Sequence, residues 1–161
     1  MSIQIGQALP DVPLAAVDGD QRETGRSSDL FAGRRVVLFA VPGAFTPTCS
    51  EKHLPGFIAL HEAFRERGFE VYCLSVNDAF VMQAWAAAQG VPPGLKMLAD
   101  GNGEFTRALG LELDGSAYGM GLRARRFALA AEDGVVTALA IEAPGEFRVS
   151  SAEAMLETVG G

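Results

Sequence analysis

The chain has 161 residues, of which 48% are hydrophobic and 20% charged, as expected for one globular domain with a substantial core. Its formal net charge of -7, without a long basic run, argues against a nucleic-acid-binding protein, and no apolar segment approaches the roughly 18 residues of a membrane span. Two cysteines are too few for a disulfide framework, and the first residues lack the layout of a secretory signal, so we expect a cytoplasmic protein.

The first third of the chain predicts strands and one short helical turn. An extended segment runs to Leu14, and residues 17–20 are typical of a hairpin turn. Ser27 or Ser28 is expected to cap a helical turn. The apolar run Val36–Val41, rich in β-branched residues, predicts a strand that is buried on both faces.

A long helix is predicted to follow this strand. It should begin near Thr46 and end at about Arg67, with Gly68 as its stop. The pair Pro55-Gly56 lies inside this helical pattern. Because proline removes one intrahelical hydrogen bond and clashes with the preceding turn, we expect a kink or a bulge close to Cys49.

The start of this helix has two possible caps. Thr46 caps it if Pro47 occupies the first helical position, whereas Thr48 caps it if Glu51 closes a capping box. Both alternatives place Cys49 in the first turn, where unpaired N–H groups and the positive end of the helix dipole stabilise an anion. A thiol there should lose its proton more readily than a free cysteine, and the thiolate is the nucleophile.

The rest of the chain alternates strands and helices. The next predicted elements are a strand Phe69–Val76, a helix Ala79–Gln89 capped by Asn77 or Asp78, and a strand Lys96–Ala99. A helix then runs from the turn Asp100–Gly103 through Leu109, and Arg125–Ala131 and Val135–Glu142 form a hairpin around Asp133-Gly134. A last helix is capped by Ser150 or Ser151 and ends at Gly160-Gly161. This order predicts an α/β fold with a mixed central sheet and helices on both faces, as in thioredoxin-like proteins.

The segment around Cys49 carries a family resemblance. Pro42, Thr46 and Cys49 reproduce the peroxiredoxin pattern of proline, three residues, threonine, two residues and cysteine. The string PGAFTPTCSEKHLPGF resembles peroxiredoxins of the peroxiredoxin-5 type, and CLSVNDAF, DGNGEFTRALGL and RRFAL match as well. The resemblance covers nearly the whole chain, residues 1–161, as one thioredoxin-like domain. It implies a thiol peroxidase that reduces hydrogen peroxide and organic hydroperoxides through a cysteine sulfenic acid, without a cofactor or metal.

Four residues are therefore the predicted catalytic set. Cys49 follows the carboxyl end of the central strand, where α/β sheets bind ligands, so catalysis is favoured over the alternative of a small buried core residue. The Thr46 hydroxyl can hydrogen bond both the sulfur and a bound peroxide, and it can also simply cap the helix. Pro42 is expected to shield the thiolate, although a strand terminator explains it nearly as well.

The fourth residue, Arg126, is selected by the resemblance. A guanidinium near the sulfur stabilises the thiolate and the charge that develops on the departing oxygen. The local pattern does not separate Arg126 from Arg123 or Arg125, for which a solvated surface position is the alternative. In the family the arginine directly precedes the phenylalanine of an RF pair, which is Phe127 here. Strand alternation predicts that Arg125 and Arg126 point to opposite faces.

Other candidate residues are weaker. His53 lies one helical turn after Cys49 and is a possible base, but a structural role is favoured for it and for His61. No Cys/His cluster has metal-ligand spacing, and Asp100–Gly103 lacks the residues of a phosphate-binding loop.

Cys73 lies within a predicted strand and is expected to belong to the core. The resemblance implies a resolving cysteine near the C-terminal end in the best-known animal members, but Glu142–Ala152 contains none. We therefore expect a one-cysteine cycle in which an external thiol, glutathione with or without glutaredoxin or else thioredoxin, reduces the sulfenic acid. The resemblance also implies a homodimer through loops around Phe45, Phe80 and Met120.

Two other classes of function remain as alternatives. A thiol–disulfide oxidoreductase on the same fold is disfavoured, because Thr46 occupies the place of the second thiol of a C-x-x-C motif. A non-catalytic binding or chaperone module is disfavoured by the intact set of four predicted catalytic residues.

Overall fold

The computed structural model describes residues 2–159. Its strands are β1 (Pro13–Asp18), β2 (Gln21–Arg26), β3 (Arg35–Ala40), β4 (Phe69–Ser75), β5 (Lys96–Ala99), β6 (Glu112–Asp114), β7 (Leu122–Ala124), β8 (Phe127–Glu132) and β9 (Val135–Ile141). Its α-helices are α1 (Ser27–Phe31), α2 (Leu54–Ala59), α3 (His61–Glu66), α4 (Ala79–Gln89), α5 (Glu104–Leu109) and α6 (Ala152–Val159). A π-helical turn covers Cys49–His53, and a 3-10 turn covers Ser116–Tyr118.

The main sheet has seven strands in the order β2-β1-β5-β4-β3-β8-β9. Strands β3, β4 and β5 run parallel, whereas β1 and β8 pair antiparallel with β5 and β3 respectively. The predicted mixed sheet is therefore confirmed. Strand β3 lies inside the sheet, so the segment that follows it leaves from the middle of the carboxyl edge.

The central strand β3 divides the core into two layers. Because side chains alternate along a strand, Val37 and Phe39 contribute to one cluster, which α2, α3, α4 and α6 cover. Val36 and Leu38 contribute to the other cluster, which α1 and α5 cover. The predicted burial of this strand on both faces is confirmed, since residues 36–41 are all buried.

Several predicted boundaries and caps are confirmed. Helix α4 and strand β5 have the predicted bounds, and the Asp78 carboxylate accepts a hydrogen bond from the Val81 N–H at 2.9 Å as the cap of α4. The Ser151 hydroxyl caps α6 by accepting from the Ala154 N–H at 3.1 Å. The predicted helix stop at Gly160-Gly161 lies outside the described residues.

The predicted helix from Thr46 to Arg67 is interrupted. It consists of the π-helical turn, α2 and α3, with non-helical dihedral angles at Leu60. Hydrogen bonds from the Leu60 N–H to the Gly56 carbonyl and from the Phe64 N–H to the Leu60 carbonyl, both 3.1 Å, continue across this point. The segment is therefore one distorted rod rather than two separate helices, and Gly68, with a φ of 82°, ends it as predicted.

The predicted bulge beside Cys49 is confirmed. Leu54 donates its N–H to the carbonyl of Cys49, five residues earlier, which is the π-helical pattern. Pro55 follows directly and has no N–H to donate to Glu51, so the normal α-helical bond cannot form there. The widened turn contains both Cys49 and His53.

Three features differ from the sequence-based expectations. Ser27 and Ser28 do not cap α1, because the Ser27 hydroxyl donates to the Pro10 carbonyl at 2.6 Å instead. The second sheet, formed by the short strands β6 and β7, was not predicted, since three-residue strands carry little periodic signal. Strand β8 begins at Phe127 rather than Arg125.

Within residues 2–159, no helix has the length and hydrophobicity required to cross a membrane.

Candidate active site

Cys49 lies at the carboxyl edge of the main sheet, after the loop that leaves β3. Two hydrogen bonds attach this loop to the end of β4: the Val41 N–H donates to the Leu74 carbonyl at 3.0 Å, and the Ala44 N–H donates to the Asn77 side-chain oxygen at 3.0 Å. These bonds join the loop to the neighbouring parallel strand, so the two strand ends position the start of the helix together.

The helix begins at Pro47, which is the first helical position that the Thr46 alternative predicts. Residues 47 and 48 are already helical, which puts Pro47 at the first position, and the Ser50 N–H donates to the Thr46 carbonyl at 2.9 Å. The alternative capping box at Thr48 is wrong, because no side chain caps this turn. The Thr46 hydroxyl does not cap it either: it donates to the Gly43 carbonyl at 2.6 Å.

The Cys49 side chain is buried, with 0% of its surface exposed, and it packs within one of the two core clusters. Its sulfur nevertheless has a cationic neighbour. Nη2 of Arg126 donates to Sγ of Cys49 at 3.2 Å. A guanidinium at this distance in a site with little water interacts strongly with a negative sulfur.

Arg126 lies in a bend between β7 and β8 rather than inside a strand. The prediction that Arg125 and Arg126 point to opposite faces depends on a strand alternation that this bend interrupts, and both residues border the same cavity. Arg123 is not simply solvated: it donates to the carbonyls of Met120 at 2.9 Å and Val76 at 3.0 Å. Of the three arginines, Arg126 is the one that contacts the sulfur.

His53 contacts Arg126 instead of Cys49. Its Nε2 lies 2.8 Å from the Ser150 carbonyl, and its Nδ1 lies 2.8 Å from Nη1 of Arg126. A carbonyl only accepts and a guanidinium only donates, so Nε2 carries the proton and Nδ1 accepts. Burial, together with the positive charge of Arg126, lowers the pKa of His53 from 6.5 to about 3, which keeps the ring neutral.

The sequence favours a structural role for His53 over that of a base for Cys49, and the neutral, hydrogen-bonded ring fits that role. Its contact with Arg126 is not predicted from the sequence. The structure brings Cys49 and His53, the first and last residues of the π-helical turn, to the Arg126 guanidinium, one to each of its terminal nitrogens.

A buried carboxylate supports the far side of His53. Oε2 of Glu142 accepts from the Ser150 N–H at 2.8 Å, the Ser150 hydroxyl at 2.7 Å and the Arg148 N–H at 2.7 Å. The Glu142 N–H in turn donates to the Arg126 carbonyl at 3.0 Å. The hydrogen bonds thus form a closed ring from Arg126 through His53, Ser150 and Glu142. Burial alone would raise the pKa of Glu142, but the bonds from Ser150 and Arg148 lower it below its ordinary value.

The segment between β9 and α6 also covers this arginine. The Phe147 ring packs edge-on against the His53 ring, with centroids 5.0 Å apart, and the guanidinium carbon of Arg126 lies 5.9 Å from the Phe147 centroid. No local sequence signal indicated that Glu142, Phe147 or Ser150 would lie here, because they approach His53 across nearly a hundred residues of chain.

A cavity of about 180 Å³ lies beside Arg126, the residue that contacts the buried sulfur. Pro42, Thr48 and Arg126 border it, and Thr48 directly precedes Cys49. Pro42 is half-buried. The cavity lies beside the guanidinium that contacts the sulfur, whereas Cys49 itself does not border it.

Cys73 lies in β4 and is fully buried in the same core cluster as Cys49, as predicted. Burial, followed by the negative charge of a Cys49 thiolate, raises the pKa of the Cys73 thiol well above its usual value. Both cysteines are free thiols. Cys73 therefore stays protonated and is a poor nucleophile in this conformation.

Comparisons with known proteins agree in one assignment. The Redoxin family model matches residues 4–156. The chain is similar to Peroxiredoxin-2B of Arabidopsis thaliana, with 48% identity over 159 residues that cover 98% of both proteins. It is also similar to a crystal structure of reduced Prx3 from Vibrio vulnificus in complex with hydrogen peroxide, with a TM-score of 0.91, 49% identity and coverage of 98% of this chain and 99% of that one. Peroxiredoxin 5 from Alvinella pompejana matches with a TM-score of 0.85, 36% identity and 98% coverage of both chains. These structural matches confirm the thioredoxin-like fold.

Proposed function

The chain belongs to the peroxiredoxins, thiol peroxidases of the Redoxin family, and we propose that Cys49 is the thiol that reduces the peroxide in this member. Arg126, Thr46 and Pro42 complete the proposed catalytic set. The observation that carries the proposal is the 3.2 Å hydrogen bond from Nη2 of Arg126 to Sγ of Cys49, next to a cavity that Arg126 borders.

In the proposed reaction the Cys49 thiolate attacks the terminal oxygen of a hydroperoxide. An S–O bond forms, the O–O bond breaks, and water or an alcohol leaves after taking a proton, so Cys49 becomes a sulfenic acid. Arg126 stabilises the thiolate before the reaction and the departing oxygen during it. Nη1 of its guanidinium already donates to His53, so the guanidinium needs little reorganisation as negative charge shifts from the sulfur to the departing oxygen.

Thr46 is proposed to orient the peroxide. Its hydroxyl proton is engaged by the Gly43 carbonyl at 2.6 Å, so the oxygen lone pairs remain to accept a hydrogen bond from the O–H of a hydroperoxide. Such a bond would align the reacting oxygen with the sulfur. Pro42 is proposed to limit access to the sulfur from the cavity.

The proposed cycle uses one cysteine. Cys73 is buried, and its raised pKa makes it a poor resolving thiol. Residues 143–161 contain no cysteine, so the segment between β9 and α6 that covers Arg126 supplies no second thiol. An external thiol is therefore proposed to restore Cys49, with glutathione and glutaredoxin favoured over thioredoxin.

The finer assignments are proposals as well. Similarity to a peroxiredoxin 5 supports the peroxiredoxin-5 type, and the Redoxin match over residues 4–156 supports a single domain. The exposed aromatic side chains of Phe45, at 55%, and Phe80, at 70%, support a homodimer through these loops. The free cysteines agree with a cytoplasmic location.

The reductant and the one-cysteine cycle are tested in one assay. Consumption of hydrogen peroxide and of an organic hydroperoxide is measured with glutathione plus glutaredoxin and, separately, with thioredoxin. We expect Cys73→Ser to sustain turnover with glutathione and glutaredoxin, and Cys49→Ser to consume no peroxide with either reductant. Loss of multiple turnover in Cys73→Ser, with a normal first turnover, would instead require Cys73 as a resolving thiol.

A further inference from the structure

Two charged residues border the cavity beside Arg126 and do not contact the proposed reacting atoms. They are Arg125 and Glu142, of which Glu142 also supports His53 through Ser150. A hydroperoxide is neutral and needs only the sulfur, Arg126 and a hydrogen-bond acceptor. The two extra groups have opposite charges, so they suit a ligand that is itself charged at both signs.

The Arg125 guanidinium has no carboxylate partner in the described part of the chain. Its side chain is half-buried at the cavity, and within residues 2–159 its guanidinium has neither a salt bridge nor a side-chain hydrogen bond. Arg34, Arg35 and Arg65 each have a carboxylate partner, by contrast. A guanidinium facing a cavity without a partner is a ready site for a carboxylate.

Glu142 provides the opposite feature. The residue is only 5% exposed, and although Oε2 accepts three hydrogen bonds, Oε1 has no hydrogen-bond partner in the described part of the chain. A buried carboxylate oxygen without a partner is costly, so a donor placed there by a ligand would be favourable. An ammonium group is the strongest donor of this kind.

We propose that this cavity binds the amino-acid end of the reducing thiol, with its carboxylate on Arg125 and its ammonium group on Oε1 of Glu142. The inference rests on the proposed function, because it needs a sulfenic acid at Cys49. The cavity of about 180 Å³ is smaller than the roughly 300–1,000 Å³ of sites that enclose a drug-sized molecule, so it receives only one end of a peptide-sized thiol.

Binding at this place prepares the reductive step. The ligand's thiolate attacks Sγ of the Cys49 sulfenic acid, an S–S bond forms, the S–O bond breaks, and the hydroxide leaves as water after taking a proton. Cys49 sulfur is reduced and the ligand sulfur is oxidised. A second thiol then attacks the ligand sulfur of the mixed disulfide, which releases the Cys49 thiolate and a free disulfide.

An anionic substrate, such as a fatty-acid hydroperoxide, is the alternative ligand whose carboxylate would bind Arg125. The unpartnered oxygen of Glu142 favours the thiol, because a fatty-acid hydroperoxide has no ammonium group. The experiment therefore measures the oxidative and the reductive half-reactions separately.

The test compares four thiols on protein whose Cys49 has been oxidised by one equivalent of hydrogen peroxide. Glutathione carries both charged groups, mercaptopropionate only the carboxylate, cysteamine only the ammonium group, and mercaptoethanol neither. For each thiol the rate of sulfenic acid reduction in a variant is divided by the wild-type rate, which removes the intrinsic reactivity of the thiol.

The variants are Arg125→Ala and Glu142→Gln. Arg67→Ala, at an exposed position, is the control for Arg125→Ala because it loses the same single positive charge.

For Arg125→Ala we expect the ratio for glutathione and mercaptopropionate to fall about fivefold below the ratio for mercaptoethanol, the scale of one half-exposed ion pair. For Glu142→Gln the same selective fall is expected with glutathione and cysteamine, because the amide still holds Ser150 through its oxygen and turns a donor towards the ligand. Arg67→Ala should change all four ratios equally.

Three results would overturn the proposal. One is that both variants change all four thiol ratios by a common factor. Another is that Arg125→Ala slows oxidation by a fatty-acid hydroperoxide while all thiol ratios stay level, which would assign the cavity to the oxidant. If wild-type protein forms no sulfenic acid at Cys49, the proposed function itself fails, and this inference fails with it.

Discussion

Nδ1 of His53 accepts a hydrogen bond from Nη1 of Arg126 at 2.8 Å, so the arginine that contacts the Cys49 sulfur is itself held by a neutral histidine. The ring cannot rotate to release it without losing its bond to the Ser150 carbonyl. His53 is therefore a positioning residue for the guanidinium. This arrangement differs from a cysteine–histidine pair, in which the ring would take the proton of the thiol.

Two substitutions separate the two bonds of His53. In His53→Asn the side-chain oxygen lies close to the place of Nδ1 and still accepts from Arg126, whereas His53→Gln keeps the donor to Ser150 and lacks that acceptor. We expect the rate of Cys49 oxidation by hydrogen peroxide to fall about tenfold or more in His53→Gln and much less in His53→Asn, because a displaced guanidinium loses aligned contacts. Stopped-flow fluorescence of Trp85, whose indole N–H donates to Ser50 at 3.0 Å, reports the oxidation. Equal rates in the two variants would exclude the positioning role.

His53 also gives the fold a defined dependence on pH. Its pKa is about 3 in the folded protein, against 6.5 for an exposed histidine, so the unfolded chain binds more protons between these values. The free energy of unfolding should therefore fall as the pH drops below about 6.5, by about 1.4 kcal/mol for each pH unit. Urea unfolding at pH 7 and pH 5 measures this loss, which we expect to be about 2 kcal/mol smaller in His53→Gln. A wild-type protein with the same pH dependence as the variant would show that His53 titrates normally.

Arg126→Lys keeps the positive charge but loses the planar fork that reaches Cys49 and His53 together. We expect the rate of oxidation by hydrogen peroxide to fall about a hundredfold, as for loss of one donor to a developing oxyanion. Thermal unfolding of the same variant checks that the fold survives. Arg67→Lys provides the matched control, since Arg67 is exposed and does not border the cavity. A lysine variant as fast as the wild type would remove the need for a bidentate guanidinium.

Thr46→Val removes the hydroxyl at nearly constant shape, and Thr46→Ser retains it. If the Thr46 oxygen accepts from the peroxide while its proton bonds Gly43, the valine variant should oxidise ten- to a hundredfold more slowly, and the serine variant should stay near wild type. The rates are measured at several peroxide concentrations so that binding and chemistry are separated. A valine variant that matches the serine variant would reduce Thr46 to a structural residue.

The sequence predicted much of the fold because the relevant signals were local. The run Val36–Val41 is apolar at every position and rich in β-branched residues, as expected for a strand buried on both faces. Pro55 indicated the distortion beside Cys49 from its missing N–H alone. The cap at Asp78 likewise depends on residues three positions apart.

The parts of the site that were not predicted depend on contacts between distant segments. A bend at Arg126, invisible in the sequence, brings Arg125 to the same cavity. The support of His53 comes from Ser150, 97 residues away, and no periodicity reports such a contact. The complete burial of Cys49 has the same origin, because strands and helices from both halves of the chain form the cluster around it.

We propose that a Cys49 thiolate held by Arg126 is the group that reduces the peroxide. The most direct measurement mixes one equivalent of hydrogen peroxide with Cys49→Ser and with Cys73→Ser, and follows peroxide loss and the protein mass in a single turnover. We expect Cys73→Ser to consume the peroxide at a rate close to wild type and to gain one oxygen atom on the peptide that contains Cys49, while Cys49→Ser consumes none. Equal losses of peroxide consumption in the two variants, or oxidation that appears on Cys73, would exclude Cys49 as the thiol that reduces the peroxide.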